Sequence, residues 1–328
     1  MLFRVAKYSV CAGSNFATNC ATMAMTPLLS CGKNNGTTNM RTSSSSSNLL
    51  GFAQSASLMD PADSLLPFTV EGVLVGWVKR SFAPHLENWP EHFTIRPRGV
   101  GMLGHFETAE HRSAALNEVV EALASGGVIH GWRNETVTVA ESFYAEPLFH
   151  IERAASRYFG LTMYASHLNG LTMRNGALHV WIATRANSKE IDPSRLDNMA
   201  AGRIARGYTP LQTLIKEAGE EAGLSVEMAI SAQAVGAVRC KYLVEEGLHQ
   251  EIMFVHDVML PADFTPKNKD GEVAGFKCYS MADVLTMLDD PAQFTVDAAL
   301  VVIDCLIRHG QIGSDRDDYL ELIHAIRP

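Results

Sequence analysis

Residues 202–224 read Gly202-Arg-Ile-Ala-Arg-Gly-Tyr-Thr-Pro-Leu-Gln-Thr-Leu-Ile-Lys-Glu-Ala-Gly-Glu-Glu-Ala-Gly-Leu224, and local signals alone place a helix inside them. Thr209 is its N-cap, Pro210 takes the first helical position, where a missing N–H costs nothing, and Thr209 with Gln212 makes a capping box. Gly223 supplies the left-handed stop. Leu211, Leu214, Ile215, Ala218 and Ala222 fall on an arc of about 100° that is expected to face a core. Glu217, Glu220 and Glu221 fall on another arc, largely opposite. Unneutralised, each close pair of like charges costs about 0.2–0.5 kcal/mol, and Lys216 is the one basic residue on this helix. A solvated acidic face is the usual meaning of a charge run. Here the scarcity of basic partners and the glycine-containing loop ahead of the helix point instead to a hard divalent cation such as Mg²⁺.

Around this helix the chain alternates as strands do. Residues 162–169 and 171–174 read as strand, 177–184 as another, with Asn175-Gly176 as the hairpin turn between them. Residues 251–260 read as a buried strand ended by Pro261, and 280–288 and 295–309 as helices, the second capped by Thr295 and stopped by Gly310. Further upstream, 68–70 and 73–78 read as a strand pair joined at Glu71-Gly72, 108–125 as a helix capped by Thr108 and ended at Gly126-Gly127, and 136–140 as a strand. Gly99, Gly101 and Gly104 spell G-x-G-x-x-G, but no strand leads directly into it and no helix opens within it, so it reads as a loop and not as a dinucleotide fingerprint.

The first 60 residues differ in kind. Residues 1–59 hold four basic side chains (Arg4, Lys7, Lys33, Arg41), no Asp or Glu, and the run Ser43 to Ser47. They lack either hydrophobic period and read as a disordered tail outside the fold. That composition fits a transit peptide of a mitochondrion or plastid; it fits equally a start assigned too far upstream of Met40 or Met59, in a cytoplasmic protein. The division is therefore 1–60 tail, 61–158 a small α/β domain, and 159–315 the domain that carries the acidic helix.

Composition narrows the function. The net charge of −9 rests entirely on residues beyond the tail, and an acidic body repels nucleic-acid backbones. No apolar run approaches the ~18 residues a membrane span requires. The six cysteines include no Cys-x-x-Cys pair, which argues against a disulfide scaffold or zinc ribbon. The histidines show no metal-ligand spacing, and Cys240, Cys278 and Cys305 read as small buried hydrophobes.

The stretch 202–224 resembles a Nudix box, G-x5-E-x7-R-E-U-x-E-E-x-G-U with U aliphatic. Gly202, Glu217, Ala218, Glu220, Glu221, Gly223 and Leu224 match, while Tyr208 stands in place of the first Glu and Lys216 in place of the Arg. Trp181-Ile-Ala-Thr-Arg185, Lys189, Leu196-Asp197-Asn198 and Asp270-Gly271-Glu272-Val273 are similar to the Nudix proteins related to thiamine pyrophosphokinase, which carry an extra N-terminal α/β domain. The resemblance implies an α+β chain: an α/β/α sandwich around a mixed sheet, preceded by the small α/β domain and the disordered tail. It implies hydrolysis of a small organic diphosphate, of thiamine-diphosphate type, to a monophosphate and phosphate with Mg²⁺ or Mn²⁺. Glu217, Glu220, Glu221 and the Gly202 carbonyl are then the metal ligands, and Glu272 or Glu251 supplies a further ligand or general base. Arg185 and Lys189 clamp phosphates, and Trp181 is available to stack on a ring. Two alternatives stay open: a nucleoside-diphosphate-linked substrate, and a Nudix-fold binding module in which Tyr208 marks lost turnover. The expected partner is a small molecule, with no nucleic acid or membrane involved.

Overall fold

Turn chemistry and alternation set the elements. In the computed structural model, which describes residues 43–57 and 64–327, the order is α1 (Ser43–Ser55), β1 (Leu65–Val70), β2 (Val73–Lys79), α2 (Ala83–Leu86), β3 (Phe93–Arg96), β4 (Gly99–Met102), α3 (Ala109–Ser125), β5 (Thr136–Val139) and β6 (Phe149–Glu152). There follow β7 (Thr162–Arg174), β8 (Ala177–Arg185), β9 (Leu196–Asp197), β10 (Ala200–Arg203), α4 (Pro210–Glu221), α5 (Val226–Ile230), β11 (Gln233–Leu243), β12 (Leu248–Met259), β13 (Val273–Ser280), α6 (Met281–Met287), α7 (Val296–Arg308) and α8 (Tyr319–Ile326). No helix among the described residues is long and apolar enough to cross a membrane.

The N-terminal domain is a four-stranded sheet in the order β2-β1-β4-β3, with the β5–β6 pair beside it. Its Glu71-Gly72 turn has both residues at positive φ (52° and 81°), the backbone a tight hairpin needs. Thr108 caps α3 by accepting the His111 amide proton, and Leu116, Val119, Val120 and Leu123 pack that helix onto Phe68, Phe93, Phe149 and Phe159. The glycine motif is not a loop. Gly99–Met102 is β4, parallel to β1 and antiparallel to β3, and a Cβ on Gly99 would lie 3.3 Å from the Pro67 carbonyl oxygen. Small residues there permit a close strand approach, and no helix opens within the motif.

The second sheet runs β11-β12-β7-β8-β13, with β10 also on β7 and β9 on β8. The sheet is mixed: β7 is parallel to β12 and antiparallel to β8 and β10. The Asn175-Gly176 turn between β7 and β8 has φ of 50° and 76°. Alternation sends Val180 and Ile182 to one face, against α6, α7 and α8, and Trp181 to the other, against Leu214 and Ala218 of α4 and its C-cap Ala222. The result is an α/β/α sandwich. Trp181 is therefore buried beneath the box helix and is not free to stack on a ligand. Leu211, expected in the core, is 42% exposed, whereas Thr213, Leu214 and Ala218 of α4 are buried.

A second correction concerns the tail. Residues 1–42 and 58–60 lie outside the described residues, but Ser43–Ser55 is a helix and not part of a disordered segment. Leu49, Ala53 and Ala56, at i, i+4 and i+7, are buried in the core formed by α7, α8 and the sheet, and Lys241 donates its amide proton to the Ala56 carbonyl at 2.6 Å. A serine-rich stretch with so narrow a stripe gains its helicity from packing and not from propensity. A chain that begins at residue 59 should accordingly be less stable than one beginning at residue 43, by about 2–5 kcal/mol. Urea denaturation of the two measures the difference, and Ala53→Asp in the longer chain should reproduce most of it.

Candidate active site

The site is built where β10 runs beside the box helix. The α4 cap forms as the sequence implies: the Thr209 hydroxyl accepts from Gln212, and the Gln212 side chain accepts from the Thr209 amide, at 3.2 and 2.9 Å. Gly223 ends the helix at φ 70°. β10 pairs with β7 so that Gly202 lies opposite Ser166, which presses its backbone against α4. A Cβ on Gly202 would fall 2.4 Å from Glu217 Cδ. One residue earlier, the Ala201 amide donates to Glu221 Oε2 at 2.8 Å. Glu217 and Glu221 are thus set by backbone contacts on one side of the helix, while Glu220 projects further out, its side chain 49% exposed.

Electrostatics leave the trio short of positive charge. Burial holds the Glu217 carboxyl above its ordinary range despite the bond from Lys216. Burial lifts Glu221 well above it, and the charges of Asp197 and Glu217 add to this. Lys216 Nζ bridges Glu217 Oε1 and Glu220 Oε2 at 3.0 and 2.9 Å; against its own partial burial, these bonds raise its pKa. Tyr208, in place of the missing carboxylate, is 47% exposed at the rim.

The loops before the box and before β13 close over this helix. Lys189 pairs with Glu272, and the Ala186 amide donates to the Glu272 carbonyl at 2.9 Å. Asp270 accepts the Glu272 amide at 2.8 Å and so fixes the turn that presents this carboxylate. Arg185 lies beside them but spends its guanidinium on its own loop: Nε on the Asp192 carbonyl, Nη2 on the Ile191 carbonyl and Nη1 on Asp197 at 2.8 Å. It orders that loop through three of its five donors and lines the cavity. Glu251 is buried and held by Arg203 Nε at 2.9 Å.

Glu217, Glu220, Lys216, Lys189, Glu272 and Glu251, but not Glu221, line one polar cavity of about 990 Å³. Its wall also holds residues that motif reading does not find: Arg133, Arg153 and Arg157 from the N-terminal domain, His167 on β7, and Asp297 at the start of α7. His167, set amid the buried Ser166 and Asn169 of a central strand, is the one with a visible signal, since polar residues there need a reason. Cys240 and His249 gather on Asp297 from two other strands: the Cys240 thiol donates to Oδ1 at 3.1 Å, and His249 Nε2 lies 3.5 Å from it. Against the burial that would raise it, His249 and Cys240 hold the Asp297 carboxyl below its usual range.

The donor set at α4 suits a divalent cation: three carboxylates, two of them destabilised by burial as anions, beside a backbone brought close by a glycine. Because Glu217 and Glu221 have raised pKa values, ionising them costs stability as pH rises through the carboxylate range. In cation-free protein, Glu221→Gln should match or exceed the wild-type melting temperature at pH 7.5, by about 2–4 °C for each ~1 kcal/mol relieved, with the gap closing near pH 4. Mg²⁺ should raise the wild-type value more than that of the variant. Gly202→Ala should displace Glu217 and blunt the Mg²⁺ response while circular dichroism stays unchanged.

Two family models match the chain: a domain of unknown function (DUF4743) over residues 50–163 and the NUDIX domain over residues 165–299. Nudix hydrolase 24, chloroplastic, of Arabidopsis thaliana is 35% identical over 288 residues, covering 86% of this chain and 79% of that protein. Nudix hydrolase 20, chloroplastic, of the same plant is 35% identical over 295 residues with the same coverages. An uncharacterised Saccharomyces cerevisiae protein, YJR142W, is 30% identical over 237 residues, covering 66% of this chain and 68% of that one. With its box geometry, its preceding domain and these relatives along most of its length, the chain belongs to the Nudix hydrolase family, enzymes that cleave pyrophosphate linkages.

Proposed function

We propose that this protein hydrolyses a small organic diphosphate, of thiamine-diphosphate type, to an organic monophosphate and phosphate with Mg²⁺ or Mn²⁺. The observation that carries the reading is the carboxylate trio on α4, with Glu217 and Glu220 opening onto a cavity of about 990 Å³, ample for such a molecule. Glu217, Glu220, Glu221 and the Gly202 carbonyl are the groups that would hold the cation. When bound, it supplies Lewis-acid stabilisation of charge developing on the phosphoryl oxygens.

The remaining work falls to side chains. Glu272, held by its Asp270 turn and paired with Lys189, would take the proton from an attacking water once that pair opens. Lys189, released from Glu272, is the cation of that loop available to a phosphate. Glu251 is the weaker candidate base because Arg203 occupies it. More carboxylates than cationic side chains line the cavity, which favours a substrate whose organic part is cationic, as a thiazolium is, over a neutral nucleoside. The chloroplast designation of the two plant relatives supports a plastid, over the cytoplasm, as the compartment.

The test is to incubate the full chain with Mg²⁺ and thiamine diphosphate, its oxidised analogue, ADP-ribose and NADH, and to measure released phosphate and monophosphates. One thiamine-type compound should exceed the rest, and Glu220→Gln should lower kcat on the order of 10²-fold with its melting temperature retained. An unchanged rate in Glu220→Gln would remove this mechanism. Absence of turnover, with a raised melting temperature on adding a panel member, would make the chain a binding module.

A further inference from the structure

Two segments of the N-terminal domain reach the cavity, and one buried carboxylate organises both. Glu152, 5% exposed, spends Oε1 on the Arg133 and Ala154 amides at 2.9 and 3.2 Å and Oε2 on the Glu135 amide at 3.1 Å. The Arg153 amide donates to the Glu135 carbonyl at 2.8 Å, and the Leu248 amide ties the Arg157 carbonyl to β12 at 3.0 Å. A buried carboxylate devoted to backbone amides fixes the backbone of a place, and what this place presents is Arg133, Arg153 and Arg157.

Among the described residues, none of the three is saturated: Arg153 bonds Glu135 through Nη1, Arg133 meets Glu190 through Nη2, and Arg157 has Glu246 at 3.7 Å. A guanidinium carries five donors in a planar fork, so each keeps an edge that matches a phosphate. Burial disfavours the Arg153 charge, and the charges of Arg203 and then Arg133 crowd it further.

We propose that the N-terminal domain supplies the anion-binding wall of the active site, Arg153 and Arg133 gripping the substrate's phosphate oxygens and Arg157 completing the wall. This rests on the hydrolase reading above, and it makes the site a joint product of two domains.

Calorimetric titration of the full chain with inorganic pyrophosphate, in the absence of divalent cation, tests it. Arg153→Lys and Arg157→Gln should each weaken binding about tenfold or more, with circular dichroism and the Mg²⁺-induced melting shift unchanged. Glu217→Gln should bind pyrophosphate as well as wild type or better, since it removes a like charge. For any panel substrate that turns over, the arginine variants should raise KM about tenfold and move kcat little. Should Arg153→Lys fail to fold, Arg133→Gln on its more exposed loop takes its place. Unchanged pyrophosphate affinity in these variants, or no binding by wild type at millimolar concentration, overturns the wall. Lost affinity where no panel compound is hydrolysed upholds the wall and rejects the hydrolase reading; turnover at wild-type KM in the arginine variants does the reverse.

Discussion

The pairing of β10 with the first half of β7 is the constraint on which the site depends. β7 is long enough to serve two partners along one edge, β10 beside Ala165–Leu168 and β8 beside Gly170–Arg174. This fork lets the chain leave the sheet through the 186–195 loop and return as β10 with Gly202 against α4. Without that return, Ala201 could not donate to Glu221, and Glu217 would have no backbone beneath it. The opposite edge of β7 meets β12 over ten residue pairs, from Gln250 to Met259, which brings Glu251 and, through the β11–β12 turn, the Arg157 segment to the same cavity. The geometry of the candidate site is a consequence of strand register.

Charge is then distributed so that no group is fully at rest. Glu217 and Glu221 are ionised at a cost because burial removes their water. Across the cavity wall, Arg153 bears the opposite burden. A ligand that carries both signs, a diphosphate accompanied by a divalent cation, relieves both at once. That is the pattern expected of a site complementary to a charged reacting group, and it differs from the solvated acidic face that a run of glutamates would otherwise signify.

The second domain was largely legible because its signals are local. The capping box, Gly223, the Asn175-Gly176 turn and the spacing of Glu217, Glu220 and Glu221 all act within one turn or hairpin, and each is found where the residues imply. What could not be read acts over distance. Helix α1 exists because α8 and the core beside it receive Leu49, Ala53 and Ala56, and nothing in a serine-rich segment announces that. Arg185 and Lys189 look alike as loop cations, yet tertiary hydrogen bonds commit the one to its loop and leave the other a single exposed pair. Arg133 and Arg153 stand in a domain whose own sequence carries no motif, and only the fold turns them toward the Nudix box. Gly99 and Gly101 misled for a related reason, since a glycine that admits a neighbouring strand and a glycine that makes a loop are the same letter.

Lys216 decides how much the departures from the box matter. An arginine there would hold carboxylates with a planar fork, whereas the lysine ammonium is a point charge on a flexible stem. It bridges Glu217 and Glu220 at bonding distance and remains charged at any physiological pH, so it could be taken for a built-in substitute for the cation. Its exposure argues otherwise. With the Lys216 side chain 47% and the Glu220 side chain 49% exposed, this is a surface ion pair of the kind worth about 0–1 kcal/mol. Glu221, the most deeply buried of the three, is not touched by Lys216 at all. The lysine therefore keeps two carboxylates near each other through a weak, exposed contact. Tyr208, half-exposed at the rim, stands where the box has a further carboxylate, while the half-buried Glu217 and Glu221 are retained.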